Sequence, residues 1–135
     1  MRYVNKKMVV VINKLVTELS GGMATHGTNL RPGQSLGFVE RIFYNEVFGQ
    51  QIYPSVYHQA AAYMYHIIKN HLFIDGNKRT GLCTAITFLE WNDILLAPFN
   101  EDEVFRFVIT IAAGDEPHEI VIDRIAGWLK EMCLS

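Results

Sequence analysis

The chain has 135 residues, half of them hydrophobic, with a formal charge of −2 and two cysteines. That length and apolar content suit one compact domain spanning 1–135, since no Pro/Gly/Ser-rich linker divides it. The near-neutral charge gives no global drive toward nucleic acid, and Cys83 and Cys133 suggest a reducing compartment rather than a disulfide scaffold.

The opening MRYVNKKMVVVINKLV places cations before apolar residues, as a signal peptide would. Asn13, Lys14, Thr17 and Glu18 interrupt the run, and no small-residue cleavage site follows, so neither export nor membrane insertion is expected and the cytoplasm is the expected location. Val9, Ile12, Leu15, Val16 and Leu19 predict an amphipathic first helix that Ser20-Gly21-Gly22 ends. A polar loop through Pro32-Gly33 precedes a second helix over 34–47, with Phe38, Ile42 and Phe43 inward. Gly49 to Pro54 interrupts, and Ser55 caps a third helix that runs to about Asn70. A further helix starts between Asn77 and Thr80, with Leu82, Ala85, Ile86 and Leu89 as its apolar stripe. Asn100 with Glu103 opens a helix through Ala112 in the manner of a capping box, and Asp115 with Pro117 starts a last one holding Ile122, Ile125 and Trp128. The reading is all-α.

Between the third and fourth predicted helices lies HLFIDGNKRTGL, residues 71–82. His71 has the unperturbed pKa that lets a side chain take a proton from a hydroxyl near neutral pH, which makes it the candidate general base. Asp75 offers the hard oxygens that suit Mg²⁺. Gly76 permits positive φ or close backbone approach, and Asn77, Lys78 and Arg79 supply amide, ammonium and guanidinium donors toward an anion. Unpaired N–H groups and the positive dipole end of the following helix add to this candidate phosphate cradle. Phe73 reads as an aromatic anchor that plugs the loop into the core. Asn77 has two readings, phosphate contact or turn formation.

Each residue also has an ordinary reading: an isolated histidine such as His26, His58 or His118 is commonly a hydrogen-bonded or exposed side chain, Asp-Gly-Asn a turn, and Lys-Arg a solvated face. The alternation of His71, Phe73, Asp75, Asn77 and Arg79 along one loop favours the chemical reading. The chain has no G-x-x-x-x-G-K-(S/T) loop, no G-x-G-x-x-G after a strand, and no H-R-D or D-F-G set. It also lacks C-x-x-C and H-E-x-x-H, and His66 and His71 are five apart, so no zinc or two-histidine metal site is indicated.

The segment resembles the signature loop of the Fic/Doc (Fido) superfamily, whose Fic branch reads H-x-F-x-(D/E)-G-N-x-R-x-x-R. His71, Phe73, Asp75, Gly76, Asn77 and Arg79 match it. Lys78 stands where Fic proteins usually have glycine and Leu82 where their second arginine belongs; both departures resemble the death-on-curing (Doc) toxins, whose loop ends in N-K-R-T. The lead-in AAAYMYHIIKNH, the trailing TAITFLEWND and Tyr53-Pro54 are similar to the same family. The resemblance implies a compact helical bundle of about six or more helices with room for a small β-hairpin flap.

It further implies an enzyme that uses ATP and Mg²⁺ to modify a hydroxyl on a protein substrate. Fic members typically move AMP to Ser, Thr or Tyr, whereas Doc toxins phosphorylate a threonine of the elongation factor that delivers aminoacyl-tRNA. Lys78 and Leu82 favour transfer of the γ-phosphate; AMP transfer and a non-catalytic nucleotide- or partner-binding module are the alternatives. In the family a flap holds the target segment by strand addition, and Gly49, Gln50, Gln51, Ile52 and Tyr53 sit where it would be. An ordinary interhelical loop, with Ile52 and Tyr53 on the core, is the competing reading. The inhibitory pattern (S/T)-x-x-x-E-(G/N) of some Fic proteins is absent, so restraint is expected from a separate, Phd-like antitoxin that folds as a helix near the active site.

Overall fold

In a computed structural model, residues 1–19 and 28–134 are described, and among them six helices surround one core. In chain order they are α1 (Lys6–Leu19), α2 (Phe38–Tyr44), α3 (Val56–Lys69), α4 (Asn77–Trp91), α5 (Glu101–Ala113) and α6 (His118–Met132), with strands β1 (Glu46–Val47) and β2 (Gln50–Gln51) between α2 and α3. The all-α expectation and the small hairpin are both present. No described helix is long and apolar enough to cross a membrane.

The central element is α3. Every residue from Gln59 to Tyr65 is buried, a pattern that one amphipathic face cannot produce and that marks a helix enclosed by neighbours. α4 and α6 flank it most extensively, with α2 and α5 adding smaller contacts, while α1 lies on α4. Three consecutive alanines, Ala60 to Ala62, and Gly81 on α4 thin the helix surfaces and let the backbones approach. A Cβ at Gly81 would stand 2.7 Å from Ile68 Cγ1 and 3.1 Å from the Met64 carbonyl oxygen. Gly81→Val is therefore expected to cost about 3 kcal/mol by overpacking, read as a lower urea midpoint at unchanged slope. Gly127→Ala, where nothing lies within 4 Å, should instead gain up to about 1 kcal/mol of helix stability.

Local chemistry explains several boundaries. The Ser55 hydroxyl accepts the His58 N–H at the start of α3, and the Asn100 side chain accepts the Glu103 N–H at the start of α5, as the sequence predicts. The N-terminus is tied in by Tyr63, whose hydroxyl donates to the Val4 carbonyl at 2.8 Å and accepts the Val4 N–H at 3.1 Å. At the other end, Leu134 N–H donates to the Leu95 carbonyl, which closes the α4–α5 connection onto the end of α6.

Other expectations need correction. The second helix is shorter than 34–47, because Asn45 adopts a left-handed conformation and ends it, and the chain enters the hairpin. Phe43 is 54% exposed rather than inward. In α1, Leu15 and Leu19 are exposed and the buried positions are Val9, Ile12, Asn13 and Thr17; the Ser20-Gly21-Gly22 stop lies outside the described residues, as does His26. In α4 the buried face is Thr80, Gly81, Thr84, Ala85, Phe88 and Leu89, with Leu82 and Ile86 at its margin. Pro117 directly precedes α6, but Asp115 does not cap it, and no side chain does.

The hairpin pairs Glu46 with Gln51 and Val47 with Gln50 around Phe48 and Gly49, both at positive φ. Two left-handed residues match the twist of a tight two-residue turn. Its base is clamped by Asn45, whose side chain donates to the Tyr53 carbonyl at 2.9 Å and accepts the Tyr53 N–H at 2.6 Å. Both strands are exposed, whereas Tyr53 is buried and Ile52 packs on the core. The segment is thus an exposed hairpin whose C-terminal end, Ile52 and Tyr53, is rooted in the core.

Candidate active site

The motif segment joins the end of α3 to the start of α4 and turns at each end. His71 lies at φ 47°, and its N–H donates to the Ile68 carbonyl, so the chain leaves α3 there with the imidazole exposed. Histidine is among the residues that tolerate this left-handed region. Leu72 and Phe73, each 1% exposed, then drop into the core, and Gly76 at φ 77° swings the chain into α4. The result is a buried aromatic with solvent-facing His71, Asp75, Lys78 and Arg79 on either side of it.

Hydrogen bonds hold this turn on three sides. The Asn77 side chain accepts the Phe73 N–H and donates to the Phe73 carbonyl, both at 2.9 Å, which is the turn-forming reading of that residue. The segment before α2 lies alongside: Arg31 N–H donates to the Leu72 carbonyl, Ile74 N–H donates to the Asn29 carbonyl, and Arg31 Nη1 reaches the His71 carbonyl at 3.3 Å. From α1, Asn13 Nδ2 donates to the Asp75 carbonyl at 2.9 Å and to Thr80 Oγ1 at 3.1 Å, while Asn13 Oδ1 accepts from Asn29 Nδ2 at 3.0 Å. Asn13, Asn29 and Thr80 are fully buried, so this network is worth more than surface hydrogen bonds and costs more if broken.

Two further features define the anion side. Asp75 Oδ1 accepts the Gly76 N–H at 2.8 Å, and the first three N–H groups of α4 point out of the helix with no intrahelical acceptor. Lys78 is exposed and makes no ion pair among the described residues, and the Arg79 guanidinium sits 5.7 Å above the Phe105 ring. Thr17 covers the other side of Gly76: a Cβ there would meet Thr17 Cγ2 at 2.9 Å.

Residues 3–89 match the family described as Fic/DOC, a span that reaches from the N-terminus through the motif to the end of the buried part of α4. The chain belongs to the Fic/Doc family. Two relatives carry Doc names, in keeping with the branch read from Lys78 and Leu82. A protein named Toxin Doc from Mycolicibacterium smegmatis is 34% identical over 83 residues, which is 61% of this chain and 64% of that protein's length. A protein named Protein kinase doc from Escherichia phage P1 is 24% identical over 133 residues, 98% of this chain and 96% of its own.

His71, Asp75, Gly76, Asn77, Lys78 and Arg79 follow one another through the turn into α4, with Phe73 buried beneath it. The residues that position this turn are polar: Asn13, Thr17 and Asn29 come from elsewhere in the chain, and Thr80 follows the turn in α4. Their one sequence signal is that Asn13 and Thr17 fall among the apolar positions of α1 where a face should be continuous. Leu82 is partly buried and packs against the core. Burial pushes the Cys83 thiol up more than neighbouring Arg79 pulls it down, which disfavours the reactive thiolate.

A second polar region borders the site. A groove of about 1020 Å³ runs between the hairpin, α3 and the start of α6, reaching Asn70 next to His71. Along it His58 bridges Ser55 Oγ at 2.7 Å and Asp123 Oδ1 at 2.9 Å. His66, whose ring is tilted against Phe38 at 5.1 Å, has its pKa lowered to about 4 by burial, with Arg41 and His118 pushing the same way. A histidine that stays neutral when folded but ionises freely when unfolded removes stability as pH falls from about 6.5 toward 4. Below that window both states are protonated and the loss stops. Urea midpoints at pH 7 and pH 4.5 should therefore converge in a His66→Gln variant relative to the parent; an unchanged difference would place the acid sensitivity elsewhere.

Proposed function

We propose that this protein is a Doc-like toxin that transfers the γ-phosphate of ATP to a Ser or Thr hydroxyl of a target protein. The observation that carries the reading is the composition of the motif turn: a base, a carboxylate and two cations converge on one helix N-terminus, while Leu82 is packed against the core where the AMP-transferring branch has its second arginine.

The target's hydroxyl oxygen attacks the γ-phosphorus as its proton passes to His71. The bond from that phosphorus to the β–γ bridging oxygen breaks, and ADP leaves. Such a transfer gains mainly from positioning and from neutralising charge on the moving group. Lys78, Arg79 and the unpaired N–H groups of α4 serve those ends. Asp75 suits Mg²⁺, which takes one or two carboxylates together with substrate phosphates, and the ion would neutralise charge on the phosphates when bound with ATP. Gly76 gives the turn its positive φ and its close approach to Thr17, and Asn77 and Phe73 hold the turn still. The exposed hairpin, with Gly49, Gln50 and Gln51, would take the target segment as an added strand, while Ile52 and Tyr53 root it in the core.

The family resemblance extends this reading to a translation elongation factor as target, to the cytoplasm as setting, and to a separate antitoxin as restraint. Incubation of the purified protein with Mg²⁺, cell lysate and ATP labelled at the α or γ position tests the reaction. Label from γ on a protein is the expected result. Label from α would assign AMP transfer, and no label from either would leave a binding module. Growth unaffected by expression of the protein alone would overturn the toxin part.

A further inference from the structure

The groove beside the motif turn is lined by a guanidinium and three imidazoles. Of its polar lining, His58 and Asp123 satisfy each other across the α3–α6 contact. Arg41 and His66 are paired with no carboxylate among the described residues, and His118 has only an adjacent, exposed Glu119 carboxylate at 4.0 Å, a contact of little worth. Arg41 comes from α2, His66 from α3 and His118 from the first residue of α6, and Tyr53 adds a phenol at the foot of the hairpin. All four line this groove, and the Tyr65 ring between the two imidazoles lies 5.3 Å from His66 and 6.5 Å from His118, so the side chains form one cluster. A permanent guanidinium flanked by two imidazoles and a phenol matches a carboxylate, because it supplies charge-assisted donors from several directions.

We propose that Arg41, His66 and His118 form a specificity subsite that binds an acidic side chain of the target segment lying in this groove. The inference rests on the transferase reading above, and it adds which target sequences the site prefers. Three helical steps, roughly 4–5 Å at 1.5 Å per residue, take His66 to the end of α3 at Lys69, and two residues of non-helical chain lead on to His71, a span on the order of 10 Å. An extended segment covers that distance in two or three residues. The preferred target therefore carries Asp or Glu two or three positions from its acceptor hydroxyl. Apolar Val47, Ile52 and Ile120 line the rest of the groove and suit the segment's other side chains. The imidazole of His66 is neutral until the carboxylate arrives, and a bound carboxylate favours its protonation.

Direct binding tests this separately from catalysis. Fluorescein-labelled nine-residue peptides with a central Thr, and Glu or Gln at each position two or three residues away on either side, are titrated with the full chain by fluorescence anisotropy. At least one Glu peptide should bind at least fivefold more tightly than its Gln counterpart, Arg41→Gln should abolish the difference, and His118→Gln should reduce it. The His66 ring resonance should titrate at higher pH with the Glu peptide bound. Equal binding of every Glu and Gln pair, a preference that survives Arg41→Gln, or displacement of the peptide by ADP would overturn the subsite. Label transfer judges the reaction itself, so absent transfer with an intact Glu preference would sink the kinase reading and keep the subsite.

Discussion

Replacing His71 by alanine should lower phosphate transfer by about 10²–10⁴-fold, the usual contribution of a well-placed general base. The loss should appear in kcat rather than in nucleotide binding, because the imidazole acts on the target's proton and the phosphates are held by other groups. Fold stability should change little through lost contacts, since the side chain is exposed. The backbone is a separate matter: residue 71 sits at φ 47°, and alanine pays about 1–2 kcal/mol in that region. Asn tolerates left-handed backbone better and cannot serve as the base, so His71→Asn separates the two effects. Both variants should be equally inactive, with the asparagine protein melting at the higher temperature. Full transfer by either, measured with γ-labelled ATP, would remove His71 from the chemistry.

Asn13→Ala should damage both stability and transfer although the residue lies on another helix and far from the motif in sequence. Its side chain serves the Asp75 carbonyl, the Thr80 hydroxyl and the Asn29 amide, all from a fully buried position. A buried polar group left unpaired costs about 1–3 kcal/mol, so a loss toward the upper end of that range, or above it, is expected from urea denaturation. Transfer per folded molecule should also fall, because the Asp75 carbonyl loses the donor that fixes the turn against α1. Asn13→Asp keeps the size and the acceptor for Asn29 but turns an oxygen toward the Asp75 carbonyl, and it should be worse than alanine in activity for a similar volume. If transfer per folded molecule stayed at the parental level in both variants, Asn13 would be a stability residue alone. A raised Mg²⁺ requirement in Asn13→Asp would specifically mark displacement of Asp75.

What the sequence disclosed about this fold follows from how local the interactions are. The starts of α3 and α5 were readable because Ser55 and Asn100 bond to backbone three residues away. The motif turn was readable because its functional groups are contiguous. The buried side of α1 was not, since pattern reading equates burial with hydrophobicity and here Asn13 and Thr17 face inward to hold the motif. The stripe of α4 was displaced for a related reason: Gly81 and Thr84 are buried because they are small, and larger Leu82 and Ile86 are left at the margin. A hairpin of two paired positions carries no period to detect, and the Arg41–His66–His118 cluster joins residues that only the tertiary fold brings together.

The enclosure of α3 also sets how the site's parts move. The amides of its buried stretch, Gln59 to Tyr65, should exchange with solvent only when the whole molecule unfolds, so the helix that leads to His71 fluctuates least. The hairpin across the groove has two paired positions, exposed strands and a fully exposed Phe48 at its tip, and should open at almost no free-energy cost. A target segment would thus meet one wall that is fixed to the core and another that is free to adjust to the incoming chain.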